Sequence, residues 1–306
     1  MPLKTLAEVL SKANAENYAV GAFNTNNLET TQAIIRGATA QNAPVIMQTS
    51  QGALSYAGFD YLVALAKTAA ENAEVPVVLH LDHGTDLKIV KKAIDSGYSS
   101  VMFDGSHFPF EKNVELTKQI VKLAHAKGVS VEGELGTIGG AEDQISSRKI
   151  ILTDPHKAKE FAQLTGVDAL AIAIGTSHGA YKFTRAGQQI DIKRLTEIKK
   201  LTQMPLVLHG ASIVIPELVE QIRKFGGMMQ RGQGLSQNEL RRAVNHGINK
   251  VNTDTDLRLA FTAALRQTIM TTPKEFDPRK LLAPSTQLMQ KVVEDRIRLL
   301  GSAGKG

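Results

Sequence analysis

Cysteine is absent from the 306 residues, so the chain has no disulfide, no thiolate nucleophile and no Cys-ligated structural zinc. Any metal site must use His, Asp or Glu, donors that suit an open catalytic site better than a closed structural one. No apolar run approaches the roughly 20 residues of a membrane span. The start, Met1-Pro-Leu-Lys-Thr-Leu-Ala-Glu8, lacks the continuous apolar core of a signal peptide. A cytoplasmic protein without membrane contact is expected. A basic block is also missing. Net charge is +6 with a pI near 9.3, yet Lys and Arg are spread along the chain, which fits a small phosphorylated ligand and argues against nucleic acid.

What is present is an ordinary globular composition, 42% hydrophobic and 22% charged. Strand-like and helix-like segments alternate from end to end. Strands are expected at Tyr18–Asn24, Ala43–Ser50, Val77–Gly84, Ser99–Ser106, Val129–Gly136, Val167–Gly175, Pro205–Ser212 and Ile248–Asp254. Helices are expected at Leu28–Ala40, Tyr61–Ala73, Leu87–Ser96, Glu111–Lys127, one starting near Asp154-Pro155, Ile192–Leu201, one opened by Ser236-Gln-Asn-Glu239 and running to Asn245, Leu257–Met270 and Ser285–Leu300. About eight strand–helix units in this length predict one (β/α)8 TIM barrel over residues 1–306, with extra helix at the C-terminal end. A doubly wound open sheet is the runner-up, but Gly21-Ala-Phe-Asn24 lacks the spacing of its Gly-rich phosphate turn. The ending Gly301-Ser-Ala-Gly-Lys-Gly306 has no strand before it and reads as a mobile tail rather than a phosphate loop.

Val77–Gly84 reads Val-Val-Leu-His-Leu-Asp-His-Gly, a buried strand whose polar groups crowd its end. His80, Asp82 or His83 alone reads as a hydrogen-bonded core group. Together, at the carboxyl end of a barrel strand, they read as a site. Other strand ends are also polar: Glu132 and Glu134 on the fifth, Gly175-Thr-Ser-His178-Gly179 after the sixth, His209-Gly-Ala-Ser212 on the seventh, and Asn252-Thr-Asp254-Thr255-Asp256 after the eighth. Three His residues from three strand ends can converge above the barrel axis and leave a metal an open position, the arrangement of a catalytic zinc. Gly179, Gly210, Ser212 and Thr255 suit a phosphate held by the last strands, although the same glycines also read as ordinary turn residues. His107, His125, His156 and His246 read as surface or hydrogen-bonding residues.

The segments HLDHG, GELGTIGGAED, GTSHGAYKF, LHGAS and NTDTDLRLAF, with FDPRK and GSAGKG at the end, resemble the class II fructose-1,6-bisphosphate aldolases, in the wording of the shorter second subgroup. The resemblance covers essentially the whole chain. It implies reversible cleavage of fructose 1,6-bisphosphate to dihydroxyacetone phosphate and glyceraldehyde 3-phosphate. It implies zinc on His83, His178 and His209, with Glu134 as a nearby carboxylate for a displaced metal. Asp82 would exchange a proton with the C4 hydroxyl, and Glu142, on a mobile Gly139-Gly140 loop within Thr137–Ser147, would move the C3 proton. Asn252 would help hold the enediolate and Asp254 would position hydroxyls. Gly179, Gly210, Ser212 and Thr255 would take one phosphate and Lys182 and Arg258 the other, with Asn24 and Ser50 completing the substrate-binding set. A monovalent cation, Na+ or K+, and a homodimer or homotetramer are also implied. Two features depart from the family pattern: Ile213-Val214 follows Ser212 where a smaller residue and Pro commonly come sooner, and Gly226–Leu235 is rich in Met and Gln.

Other functions leave more unexplained. A Schiff-base aldolase would use Lys250, which shares the inward parity of Asn252, but it has no use for three strand-end histidines. A hydrolytic metal barrel would carry His-x-His on its first strand, where Tyr18–Asn24 has no His. A non-catalytic sugar-phosphate-binding barrel would need none of Asp82, Glu142 or the His set. Tagatose 1,6-bisphosphate differs from the fructose sugar at one stereocentre and stays open as the substrate.

Overall fold

The computed structural model describes residues 3–142, 145–147, 150–179, 190–230, 232 and 234–306, with backbone alone at 141–142 and 145–147. The chain begins with α1 (Leu6–Ala15), β1 (Val20–Asn24), α2 (Leu28–Ala40), β2 (Val45–Thr49), α3 (Gln51–Ala57) and α4 (Phe59–Asn72). It continues through β3 (Val77–Gly84), α5 (Leu87–Ser96), β4 (Ser100–Phe103), α6 (Phe110–His125), β5 (Ser130–Leu135), β6 (Gly139–Glu142) and β7 (Ile145–Ser147). Next come α7 (Pro155–Thr165), β8 (Ala169–Ile172), β9 (Ser177–His178), α8 (Ile192–Thr202), β10 (Leu206–Leu208) and α9 (Pro216–Lys224). The chain ends with α10 (Gln237–Asn245), β11 (Ile248–Thr253), α11 (Thr255–Thr271) and α12 (Pro278–Leu300). Eight strands close in the order β1-β11-β10-β8-β5-β4-β3-β2. The pairings are parallel throughout, and the expected TIM barrel is present.

Side-chain alternation divides the apolar residues into two cores. Outward residues such as Leu79, Leu81, Val101 and Leu170 pack under the ring of helices. Inward residues Val20, Ala22, Ile46, Val78, Met102, Ala169, Ala171 and Val207 fill the lower barrel. Helix α1 closes that end by adding Leu6, Val9, Leu10 and Ala13 to the inner core. Its start is fixed by a capping box: the Thr5 side chain accepts from Glu8 N, and the Glu8 carboxylate accepts from Thr5 N at 2.7 Å.

Several elements differ from the sequence expectation. Helices α1, α3 and α9 were not anticipated. Within the polar stretch 137–147, the described residues form β6 and β7, and β6 pairs with β7 and with β9, the strand that carries His178. Gly140 permits that approach, since it has φ +92° and a Cβ there would lie 2.3 Å from the His178 carbonyl oxygen. The seventh expected strand stops at Leu208, because Gly210 turns the chain with φ +62°. Helix α12 begins at Pro278, before the expected Ser285, runs through Pro284 and packs against α2 and α11.

The ending is pinned rather than mobile. Gly304 N donates to Gln41 O at 2.9 Å, Gly306 N to Asn42 O at 2.8 Å, and Lys305 Nζ to Glu16 at 2.7 Å. No helix among the described residues is long and apolar enough to cross a membrane.

Candidate active site

Above the inner apolar core, the same inward positions turn polar. Glu132 on β5 and Lys250 on β11 are fully buried and meet at 2.9 Å. Glu132 also lies 2.7 Å from His209 Nε2 and 3.5 Å from His80 Nε2. The carboxylate only accepts, so His209 Nε2 donates and Nδ1 keeps its lone pair. Lys250 Nζ is therefore held against a buried carboxylate rather than left free for Schiff-base chemistry. Burial, with the Lys250 charge, holds His80 well below its usual range, and burial with the His83 charge does the same to His209.

One layer higher, three amides converge on Asp82. Asn24 Nδ2 and Gln48 Nε2 each donate to Oδ2 at 3.0 Å, and Asn252 Nδ2 donates to Oδ1 at 3.0 Å. Asn252 also lies 3.0 Å from His209 Nδ1. These contacts fix the Asp82 carboxylate at the head of the barrel axis.

Strand alternation would send the next residue, His83, outward. Instead the β3–β4 register shifts between Leu81 and Gly84, and His83 takes φ +47°. This kink lets two consecutive residues serve one mouth, at a backbone cost that functional sites commonly carry. His83 Nδ1 lies 3.1 Å from Asp104 Oδ2 and 3.7 Å from Glu134 Oε2. Burial disfavours its charge, but Asp82, Asp104 and Glu134 outweigh that and raise His83 to about 10. Against its own burial, Asp104 is held below the usual carboxylate range by the His83 hydrogen bond. Glu134 is pushed well above that range by burial and by the Asp104 charge.

Donor atoms of His83, His178 and His209 lie within 4.8 Å of one another, and His83, Asp104 and Glu134 form a second such group. His83 Nε2, Glu134 Oε2 and Asn252 Oδ1 are buried without a hydrogen-bond partner among the described residues. A divalent ion fits this donor set. It would replace a proton on His83 under the same carboxylates, and Asp104 and Glu132 would orient two of the imidazoles.

The chain matches the family model "Fructose-bisphosphate aldolase class-II" over residues 4–305. It belongs to the class-II fructose-bisphosphate aldolase family. A fructose-bisphosphate aldolase of Thermus caldophilus is 49% identical over 305 residues, covering 99% of this chain and 99% of that one. One of Giardia intestinalis is 46% identical, covering 99% of this chain and 94% of that one. A solved candidate fructose-1,6-bisphosphate aldolase of Coccidioides immitis superposes with a TM-score of 0.82 at 31% identity, covering 98% and 97% of the two chains. The protein is thus an aldolase, a carbon–carbon lyase of a metal-dependent class, and its His-rich site can hold that metal.

The remaining residues expected in the aldolase site are spread around this centre. Ser50 caps α3 by accepting from Ala53 N at 3.2 Å. Gly179 follows β9 with φ +88°, Gly210 turns with φ +62° against the Ser177 backbone, and Ser212 is buried. Asp254 precedes α11 and Thr255 begins it. Arg258 grips Asp254 with two nitrogens, at 2.9 and 2.6 Å. Asn24, Asn27, Tyr56, Asp254 and Arg258 share the wall of a cavity of about 450 Å3. Lys182 and the Glu142 side chain lie outside the described residues. Sequence reasoning missed Gln48, Asp104 and the joining of Glu132 to Lys250. Asp104 had a signal, an acidic residue ending the fourth strand just as Asp82 nears the end of the third.

Proposed function

We propose that the chain cleaves fructose 1,6-bisphosphate reversibly to dihydroxyacetone phosphate and glyceraldehyde 3-phosphate, with zinc held by His83, His178 and His209. The observation that carries this reading is Asp82, locked by three amides beside His83, at the point where three strand-end histidines converge. Bound zinc would act as a Lewis acid on the substrate carbonyl and disperse the negative charge left by bond cleavage. Asp82 takes the C4 hydroxyl proton, the C3–C4 bond breaks, and its electron pair passes to C3 and the C2 carbonyl. Asn252 donates to the developing enediolate, and Glu142 carries the proton to and from C3. Glu134 serves as a second carboxylate for a displaced ion, and a monovalent cation sits near the phosphate. Gly179, Gly210, Ser212 and Thr255 hold the ketone-side phosphate and Lys182 and Arg258 the other, while Asn24, Ser50 and Asp254 contact the sugar chain. The assembly is a homodimer or homotetramer, which sedimentation tests.

Chelation should abolish cleavage and zinc should restore it, while borohydride added with substrate should leave activity intact. Cleavage that survives verified metal removal, or trapping on Lys250, would overturn the proposal. Steady-state cleavage of the fructose and tagatose bisphosphates side by side tests the sugar, with fructose expected to be preferred.

A further inference from the structure

Residues of α10, of α12 and of the turn after β10 line a cavity of about 530 Å3 whose charged lining is Arg241, Arg296, Arg298 and Asp295. The lining thus holds three arginines and one aspartate; Arg298 is engaged by Asp295 at 2.5 Å and Arg296 by Asp256, which leaves Arg241 as the cation with no carboxylate of the lining against it. Arg296 is 3% exposed; its Nη2 holds the buried Asp256 carboxylate, while its Nη1 has no hydrogen-bond partner among the described residues. A buried guanidinium N–H without an acceptor is costly. Gln237, on the same wall, is the first residue of the nine-residue α10, whose positive end adds to the field. The remaining walls are apolar, with Ile213 and Val292 among them.

We propose that this cavity binds a phosphomonoester carrying an apolar ring, a nucleoside monophosphate, and that occupancy loosens the turn after Ser212. The guanidiniums match a phosphate dianion, the aliphatic walls match a flat ring, and the volume lies within the roughly 300–1,000 Å3 of small-molecule sites. The second half of the proposal rests on the phosphate role given above to Ser212. Asp256 links the two places. Its carboxylate accepts from Ile213 N at 2.9 Å and Val214 N at 2.7 Å while Arg296 grips it from the cavity side. Val214 has φ +56°, a strained state for a β-branched residue that persists only while its surroundings impose it. A phosphate that recruits Arg296 competes with Asp256, relaxes its hold on the turn and weakens substrate binding. By reciprocity, substrate weakens the second ligand by the same factor.

The test is calorimetry of the metal-loaded protein with adenosine 5′-monophosphate (AMP), inorganic phosphate and adenosine. AMP should bind one to one, at least about tenfold more tightly than either fragment, and Arg241→Glu should weaken it by about tenfold or more. Arg241→Glu should leave kcat and KM unchanged in the absence of AMP. With increasing dihydroxyacetone phosphate, the apparent AMP Kd should rise to a plateau, and AMP should raise the substrate KM with little change in kcat. No AMP binding at millimolar concentration, a Kd that climbs without limit, or indifference to Arg241→Glu would overturn the site. Phosphate binding as tightly as AMP would overturn the ring. AMP binding with an unchanged KM would overturn the coupling, whereas the titration without dihydroxyacetone phosphate tests the cavity independently of the catalytic roles.

Discussion

The two ends of the barrel share the same strands and the same inward-facing positions, yet their chemistry is opposite. On β3 the inward residues are Val78, His80 and Asp82. The first belongs to an apolar core closed by α1, the second to a buried ionic network, and the third is the candidate proton carrier. Below Val78, Leu6 and Leu10 of α1 complete packing of the ordinary kind. Above it, Glu132, Lys250, His209, Asn252 and Asp82 are linked at 2.7–3.0 Å, with little apolar contact to offset their desolvation. Stability is therefore concentrated at one end and chemistry at the other, divided by a single turn of the pleat. Such a division is expected where the strand ends carry the reaction.

Substitutions at the two ends should give separable defects. The largest expected effect is on the upper end: Asp82→Ala should keep its metal and lose roughly 10²–10⁴ in kcat. Metal analysis of the purified variant checks this, and loss of zinc along with activity would make Asp82 a ligand instead. At the lower end, Leu10→Ala should cost about 2–5 kcal/mol of stability. Its kcat at 25 °C should be unchanged, as denaturant titration and steady-state rates would show. A matching fall in kcat would mean that the plug is coupled to the site.

Between them, Glu132→Gln should weaken metal binding by about 10–100-fold, because His209 loses the carboxylate that orients it. Competition with a chromophoric chelator measures that loss. The smallest effect is a proton. Burial opposes charge on His83, but Asp82, Asp104 and Glu134 raise it to about 10. A metal needs the neutral ring, so uptake at pH 8 should release about one proton from His83. The release should fade as pH passes about 10. Stability that His83 lends the metal-free fold should be complete below about pH 6.5 and lost through about 10. A pH indicator in weakly buffered solution follows the release, and its absence at pH 8 would mean His83 is neutral before the metal arrives.

Much of this arrangement was legible in the sequence, and the limits have physical causes. The bounds of β3, α2 and α5 follow directly from apolar runs and caps, because Gly84 and Gly97 end their elements abruptly. The three histidines were found because each sits beside glycine, at the end of an apolar run. Helix α1 was missed even though Thr5 and Glu8 have capping-box spacing, because a plug belongs to no strand–helix repeat. The pairing of β6 with β7 was missed because both strands are short, β6 carries two glycines and β7 two serines, and β6 gains a further partner from distant β9. The Glu132–Lys250 pair was invisible for a similar reason. Alternation indicates that both point inward, but only the closed register brings β5 and β11 to opposite sides of one small lumen. The pinned ending escaped notice because its ties are backbone groups meeting Gln41 and Asn42, which leave no pattern in residue type.

The pairing of β1 with β11 has a consequence for how the molecule comes into being. Val20 is registered against Lys250, so the first strand waits for a neighbour roughly 230 residues downstream. At about 5–20 residues per second of synthesis, that wait lasts on the order of ten to fifty seconds. Throughout it the growing sheet carries two raw edges, each able to recruit another chain. The histidines, drawn from β3, β9 and the end of β10, come together only as the seam closes, so catalysis and the disappearance of the last sticky edge arrive in the same late event.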